Sequence, residues 1–285
     1  MAAERAPSGL RKLLALWALY ARMDVLWVGR SVKTSVTWYF GDLLLGLSGV
    51  TWSFLLAERF GGIGVWSPPQ VVFMLGLALI VRGSVEFGFG WNVAFPSRRI
   101  GRGQLDHTLL MPQPIWMTIA SDGFCPASGS GQLLAGSAVI AWAVHALALP
   151  VDAAWLALLA LHVASAAVII LAFAYLWASL AFLAPRAAEE INSSTMRLLE
   201  QLKPFPLDGV GSGLGLLLMS VVPAGFLAWL PSRVLLGLEA SPSAWLWTPI
   251  AALGFAMLAT LVFRAGLGRY ARTGSTRYLS HGFRR

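Results

Sequence analysis

Between Ala153 and Leu183 the chain carries no Lys, Arg, Asp or Glu. A helix over that stretch, rising about 1.5 Å per residue, exceeds a hydrocarbon core of about 30 Å, so it tilts or projects beyond it. In water nothing would cover such a surface. The run is one of several, and composition agrees: 57% of residues are apolar and 12% charged, against about 45–50% and 25% in soluble domains. The chain is therefore an all-α polytopic membrane protein.

Six spans are predicted, over 36–56, 70–91, 133–149, 153–183, 210–230 and 245–263. Gly41, Gly46 and Gly49 of the first would let a neighbouring helix approach. The second span contains Arg82 and Glu86, four residues apart and so on one helical face. Charge at that depth pairs, faces the bundle interior or lines a wet path, so the pair is either a gate or a structural salt bridge. Pro223, within the fifth span, and Pro231, at its end, are expected to kink it by removing backbone donors.

The flanks complete the organisation. Residues 1–33 form a cytoplasmic amphipathic segment in which Leu13, Leu16, Trp17 and Tyr20 alternate with Arg11, Lys12, Arg22 and Asp24, suiting either an interfacial helix or an ordinary packing helix. Leu13 to Ala21 could imitate a signal peptide, but no convincing cleavage site follows, so it is read as retained. Residues 34–264 are the membrane domain and 265–285 a basic cytoplasmic tail. Two polar loops interrupt the apolar runs, at 98–112 and 185–208. Nearly all Lys and Arg fall in the N-terminus, these loops and the tail, with only Arg59 and Arg233 opposite. By the positive-inside rule both termini and both loops are cytoplasmic.

Several functions are disfavoured. The net charge of +8 reflects residues flanking apolar runs, so nucleic acid is not an expected partner. Cys125 is the only cysteine, which leaves no internal disulfide and no cysteine-based zinc site. No Lys follows a Gly, so a G-x-x-x-x-G-K-[ST] phosphate loop is missing and ATP hydrolysis belongs elsewhere. His145 and His162 sit in apolar helices without H-E-x-x-H or G-x-S-x-G; no catalytic or metal-ligating residue is assigned. The Trp residues gather toward span ends, as interfacial anchors do.

The stretch Ile100-Gly101-Arg102-Gly103-Gln104-Leu105-Asp106, with Leu109-Leu110-Met111-Pro112, resembles the I-x-x-G-x-L-D-x-x-L-L-x-P segment of ABC transporter permeases of the type-2 exporter class. Within that class it is similar to the six-span subfamily encoded beside a second permease and an ATPase. Val221 to Phe226 with Pro231 and Leu235-Leu236-Gly237, and Arg269-Tyr270 with Gly274, resemble its fifth-span region and tail. Met111 departs from the Arg usual before that Pro. The resemblance implies a cytoplasmic coupling helix between spans two and three, seated on an ATPase subunit. Leu105 and Leu109 would pack into that partner, Arg98, Arg99 and Arg102 would steer contact, and Asp106 would cap or pair locally. Gly101, Gly103 and Pro112 would let the element move as a unit.

It further implies export from a bacterial cytoplasmic membrane, driven by ATP and Mg on two partner ATPases, through a path shared with a second permease, same or related, amid membrane lipid. Substrate would leave past Pro223 and Pro231. A large apolar or amphipathic molecule suits such a path. The competing class is a membrane-embedded lipid-modifying enzyme using Arg82, Glu86, His145 and His162, which predicts that those side chains converge; a purely structural scaffold predicts no wet path.

Overall fold

The computed structural model describes residues 9–94, 96–208 and 210–274, Trp91 and Ala94 by backbone alone. The basic tail beyond Gly274 and the first eight residues lie outside it. Twelve α-helices occur among the described residues: α1 Gly9–Arg30, α2 Val32–Phe60, α3 Pro68–Ala94, α4 Pro96–Gly101, α5 Leu105–Leu109, α6 Ile115–Ser121, α7 Ser130–Ala146, α8 Ala153–Ala178, α9 Pro185–Leu202, α10 Ser212–Ser220, α11 Trp229–Leu235 and α12 Trp247–Thr273. Four stretches are long and apolar enough to cross a membrane, namely α2, α3 as far as Gly90, α8 with the turn that follows it, and α12 with the turn that precedes it. A fifth is formed only if α10 and the Pro223–Leu235 segment, bent 69° apart, count as one.

Helix ends follow local chemistry. Asp152 caps α8 by accepting from Trp155 N at 2.7 Å, satisfying a donor that the first helical turn leaves orphaned. Gly61 ends α2 in the left-handed region, φ 69°, and its N–H returns to the last turn, a conformation that glycine alone adopts without strain. Helix α7 stops at Ala146 after 17 residues, about 25 Å of rise. It has the length of the predicted span over 133–149, set three residues earlier, and falls short of a hydrocarbon core of about 30 Å.

The core is built on α3, α7 and α8, with Phe73, Leu77 and Val81 meeting Ile140 and Ala143 and, on α8, Ile169, Ile170 and Phe173. Backbones of α3 and α7 approach closely because glycines face each other: a Cβ on Gly136 would lie 2.7 Å from Ile80 N, and one on Gly83 2.5 Å from Leu133 N. The glycines expected to serve this role in α2 mostly do not. Nothing lies within 4 Å of a Cβ on Gly41 or Gly49, while Gly46 meets the Gln132 amide.

The stretch of the fifth predicted span holds α10 and the Pro223–Leu235 segment, bent 69° apart at Pro223, where a kink was expected. Helix α9 occupies most of the stretch expected to be a cytoplasmic loop. It starts beside α4, where Gly101 lies against Pro185, and the chain then reaches Asp208, which accepts from Trp66 Nε1 in the α2–α3 turn. It therefore traverses the bundle from the α4 end to the opposite one. Its Leu199 joins the core, and α10 and α11 form a bent pair on the far side. Trp155 Nε1, near the start of α8, donates to Leu235 O of α11 at 3.0 Å. Pro231 lies in the first turn of α11, where a missing N–H costs no helix hydrogen bond. Pro223 opens the 3-10 turn Pro223–Phe226 at the bend.

The close approach has a measurable consequence. Gly136→Ala should lower the thermal midpoint of the detergent-solubilised protein, by the ~1–3 kcal/mol that overpacking costs. Gly41→Ala, made in open space, should leave it unchanged or raise it through helix propensity.

Candidate functional site

The segment 96–112 folds as two short helices joined by a glycine turn. Helix α4 closes through Arg102 N to Arg98 O at 2.9 Å and Gln104 N to Arg99 O at 2.9 Å, with Gly103 at φ 71°. A side chain at that angle would strain the turn, which accounts for Gly103 by geometry. Leu105 then turns inward: it is 7% exposed and packs with Ile100, Phe182, Ala188 and Phe263. It is consequently not the partner-facing residue expected. Leu109, expected beside it in that role, is 41% exposed, and its neighbours Leu110 and Met111 are 83% and 45% exposed.

The polar residues of this segment tie it to three other elements. Arg98 Nε donates to Glu189 Oε1 of α9 at 2.8 Å, and Arg102 Nη2 reaches the same carboxylate at 3.4 Å. Asn192, one helical turn on, donates to Ser97 Oγ at 3.2 Å. Asp106 accepts from Tyr270 Oη of α12 at 2.6 Å, so its pairing partner lies in the distant tail motif rather than nearby. Arg99 pairs with Asp122 and donates to Asn92 Oδ1 at 2.9 Å. All three arginines therefore make contacts within the chain, which leaves less of their charge for steering a partner.

Asp122 connects onward to α1. It raises the Tyr20 hydroxyl pKa after burial, which is the larger cause. Trp17 Nε1 donates to Ala120 O at 2.7 Å and its ring stacks on Phe124. Asp24 accepts from Ala127 N at 2.7 Å and from Ser128 Oγ at 2.7 Å. Helix α1 thus straps the segment between α6 and α7, the role of a packing helix. Burial also pushes up the pKa of the Cys125 thiol in this segment, and the thiol donates to Glu86 O at 3.0 Å.

Arg82 and Glu86 do pair, Nε to Oε1 at 2.8 Å, with Asp42 of α2 at 3.9 Å from the same guanidinium. The charge of Glu200 on α9 acts on both, and Glu200 itself holds buried Lys203 at 2.8 Å. Three helices therefore bring charge to one level of the bundle. The histidines do not join it. Gly136 packs at Ile80 and Gly83 at Leu133, so His145 lies on the other side of Gly136 from Arg82. His162 is fully buried with neither ring nitrogen hydrogen-bonded among the described residues. The convergence that a four-residue enzymatic site requires is not present.

Sequence reasoning missed Glu189, Asp122, Tyr20 and Asp208. The last accepts from Trp66, from Trp229 Nε1 at 2.6 Å and from Arg233, closing the far end of the bundle. Tyr270, by contrast, had left a trace as part of the tail motif.

Long apolar helices, a polar junction at one end and a latch at the other define a multi-pass helical membrane protein. The chain matches the ABC-2 family transporter protein over residues 43–274, and it belongs to that family. It is a membrane permease of an ABC transporter, a kind of subunit that generally works with ATPase subunits. No curated protein and no solved structure matches the chain.

Removing the Asp106 partner tests the junction directly. A hydrogen bond to a charged group contributes about 1.5 kcal/mol or more, so Tyr270→Phe should speed amide exchange across 105–110 by roughly tenfold. Exchange within α7 should not change. Equal protection in both proteins would mean that α5 is held by its apolar contacts alone.

Proposed function

We propose that the chain is one permease of an ATP-driven exporter in a bacterial cytoplasmic membrane, with both termini cytoplasmic. It forms the translocation path with a second permease, same or related, and is driven by two separate ATPase subunits that carry ATP and Mg. The observation that supports this best is the junction at 96–112. Its exposed Leu109-Leu110-Met111 edge is free for an ATPase, while Glu189 and Tyr270 attach it to α9 and α12. A push on that edge reaches both helices directly.

In this reading the chain crosses six times, through α2, α3, α7, α8, α9 and α12, with α10 and α11 as a hairpin entering from outside. Helix α9 is then the fifth crossing, and its exposed side carries Glu190, Ser193, Ser194, Arg197 and Gln201. Charges at membrane depth cost several kcal/mol against lipid and so line wet paths. That face borders the path, closed off from lipid by the second permease, and suits an amphipathic cargo better than a wholly apolar one. Arg82, Glu86 and Asp42 stand at its edge as a gate.

Two experiments test the proposal. With single cysteines in a Cys125→Ala background, positions 194, 197 and 201 should react with a membrane-impermeant thiol reagent, whereas 253 and 257 on α12 should not. Inert α9 positions would end the path assignment. Separately, Leu110→Asp should abolish co-purification with the ATPase encoded nearby or reduce stimulated ATP hydrolysis at least tenfold. Unchanged hydrolysis would place the ATPase contact elsewhere.

A further inference from the structure

An apolar groove of about 400 Å³ runs between α6, α8 and α12, lined by residues that include Trp116, Ile119, Leu171, Tyr175 and Phe263, with Arg264 at its edge. That volume lies in the range of roughly 300–1,000 Å³ typical of sites for drug-sized ligands. Because the chain is a multi-pass membrane protein, such a groove opens toward lipid or protein rather than bulk water.

Its charge is one-sided. Arg264 is exposed and, among the described residues, takes part in no hydrogen bond or ion pair. None of the three helices that wall the groove contains an Asp or Glu. A guanidinium at the rim of an apolar slot with no acidic residue in any wall requires an anion that brings its own hydrocarbon. Depth supports this. From Trp247 to Arg264 a helix rises about 26 Å, so the guanidinium sits near the boundary of a hydrocarbon layer of about 30 Å. Trp116, 56% exposed, adds an aromatic ring of the kind that anchors at headgroup level.

We propose that this groove binds an anionic glycerophospholipid from the leaflet on the 96–112 side, with an acyl chain along α8 and α12 and the phosphate on Arg264. A planar fork of donors suits a phosphate better than a point charge would. The site also adjoins the junction. Ile115, Ile119, Tyr175 and Phe263 line both this groove and a small cavity beneath Leu105 and Thr108, so a bound chain packs under α5.

The full-length protein in mild detergent is titrated with palmitoyl-oleoyl phosphatidylglycerol or the matching phosphatidylcholine, and bound lipids are counted by native mass spectrometry. The first phosphatidylglycerol should bind about fivefold tighter, the preference expected from one basic residue near an anionic headgroup. Arg264→Gln should erase that preference and Arg269→Gln should leave it. Ala256→Leu, which fills the groove, should weaken both lipids, and Thr260→Phe serves if that variant does not fold. Equal binding of the two lipids by the wild type overturns the proposal, as does a preference lost equally in Arg269→Gln. A groove-filling variant that alters self-association but not lipid binding also overturns it, in favour of a protein partner.

Discussion

The constraint on which the architecture depends is that charge at membrane depth must be paired or wet. In the six-crossing arrangement proposed above, helix α9 is the element that cannot meet it alone. One side of it is anchored in the protein: Ala188 packs under the junction, Asn192 meets Ser97, Leu199 enters the core and Lys203 is buried on Glu200. The other side carries Glu190, Ser193, Ser194, Arg197 and Gln201 beside exposed Ile191 and Leu198, and faces away from the chain. The helix packs against α4 and α8, and α8 in turn against α3, which Gly83 and Gly136 draw close to α7. Asp42, Arg82 and Glu86 gather where α2 meets α3, within reach of the Glu200 charge.

The junction at 96–112 depends on the same economy of charge. Three arginines in five residues would repel one another if left unpaired, and two of them converge on a single carboxylate, Glu189. Exposed ion pairs of this kind contribute little stability, typically under about 1 kcal/mol each. Their consequence is geometric. The α4 end of α3 and the start of α9 cannot separate without breaking both contacts, and Asn192 and Pro185 add neutral contacts at the same place. Attachment to α12 through Tyr270 makes the junction a three-way node.

Much of this was legible in the sequence, for identifiable reasons. Helices α2, α3, α8 and α12 announce themselves by apolar length, whereas the turn at Gly103 shows only in its φ of 71°. Asp106 and Tyr270 occur in two separate family-like motifs, and the structure joins them with one hydrogen bond. Helix α9 was not legible by hydropathy, because its charged residues average out the apolar ones. Its spacing held the signal: Ala188, Asn192, Leu199 and Lys203 recur at intervals of three to four residues or their sums, as one buried helical face requires. The apolar run that follows was the stretch read as the fifth span, and the 69° bend falls at Pro223, where a kink was expected. Leu105 misled for another reason. In a five-residue helix inward and outward leucines have the same spacing, and only the neighbours Ile100 and Phe182 decide between them.

The linkage between the two ends of the bundle follows from these attachments. A displacement of α5 toward the membrane is opposed by the apolar packing of Leu105 against Phe182 and Phe263, so it moves α12 and the end of α8 with it. The same displacement reaches α9 through Glu189, and α9 continues to Asp208. There the carboxylate is held by two indole N–H groups and Arg233, which also bonds Glu239 at 3.0 Å. Any axial shift of α9 therefore loads the contacts to Trp66, Trp229 and Arg233 together. Because packed interfaces shift between discrete arrangements rather than deforming continuously, this latch holds or releases as a unit. Across the Pro112-Gln113-Pro114 break, α6 and its strap from α1 stay tied to the node through Arg99 and Asp122. Helices α9 and α12 are thus the ones that Glu189 and Tyr270 tie directly to the node.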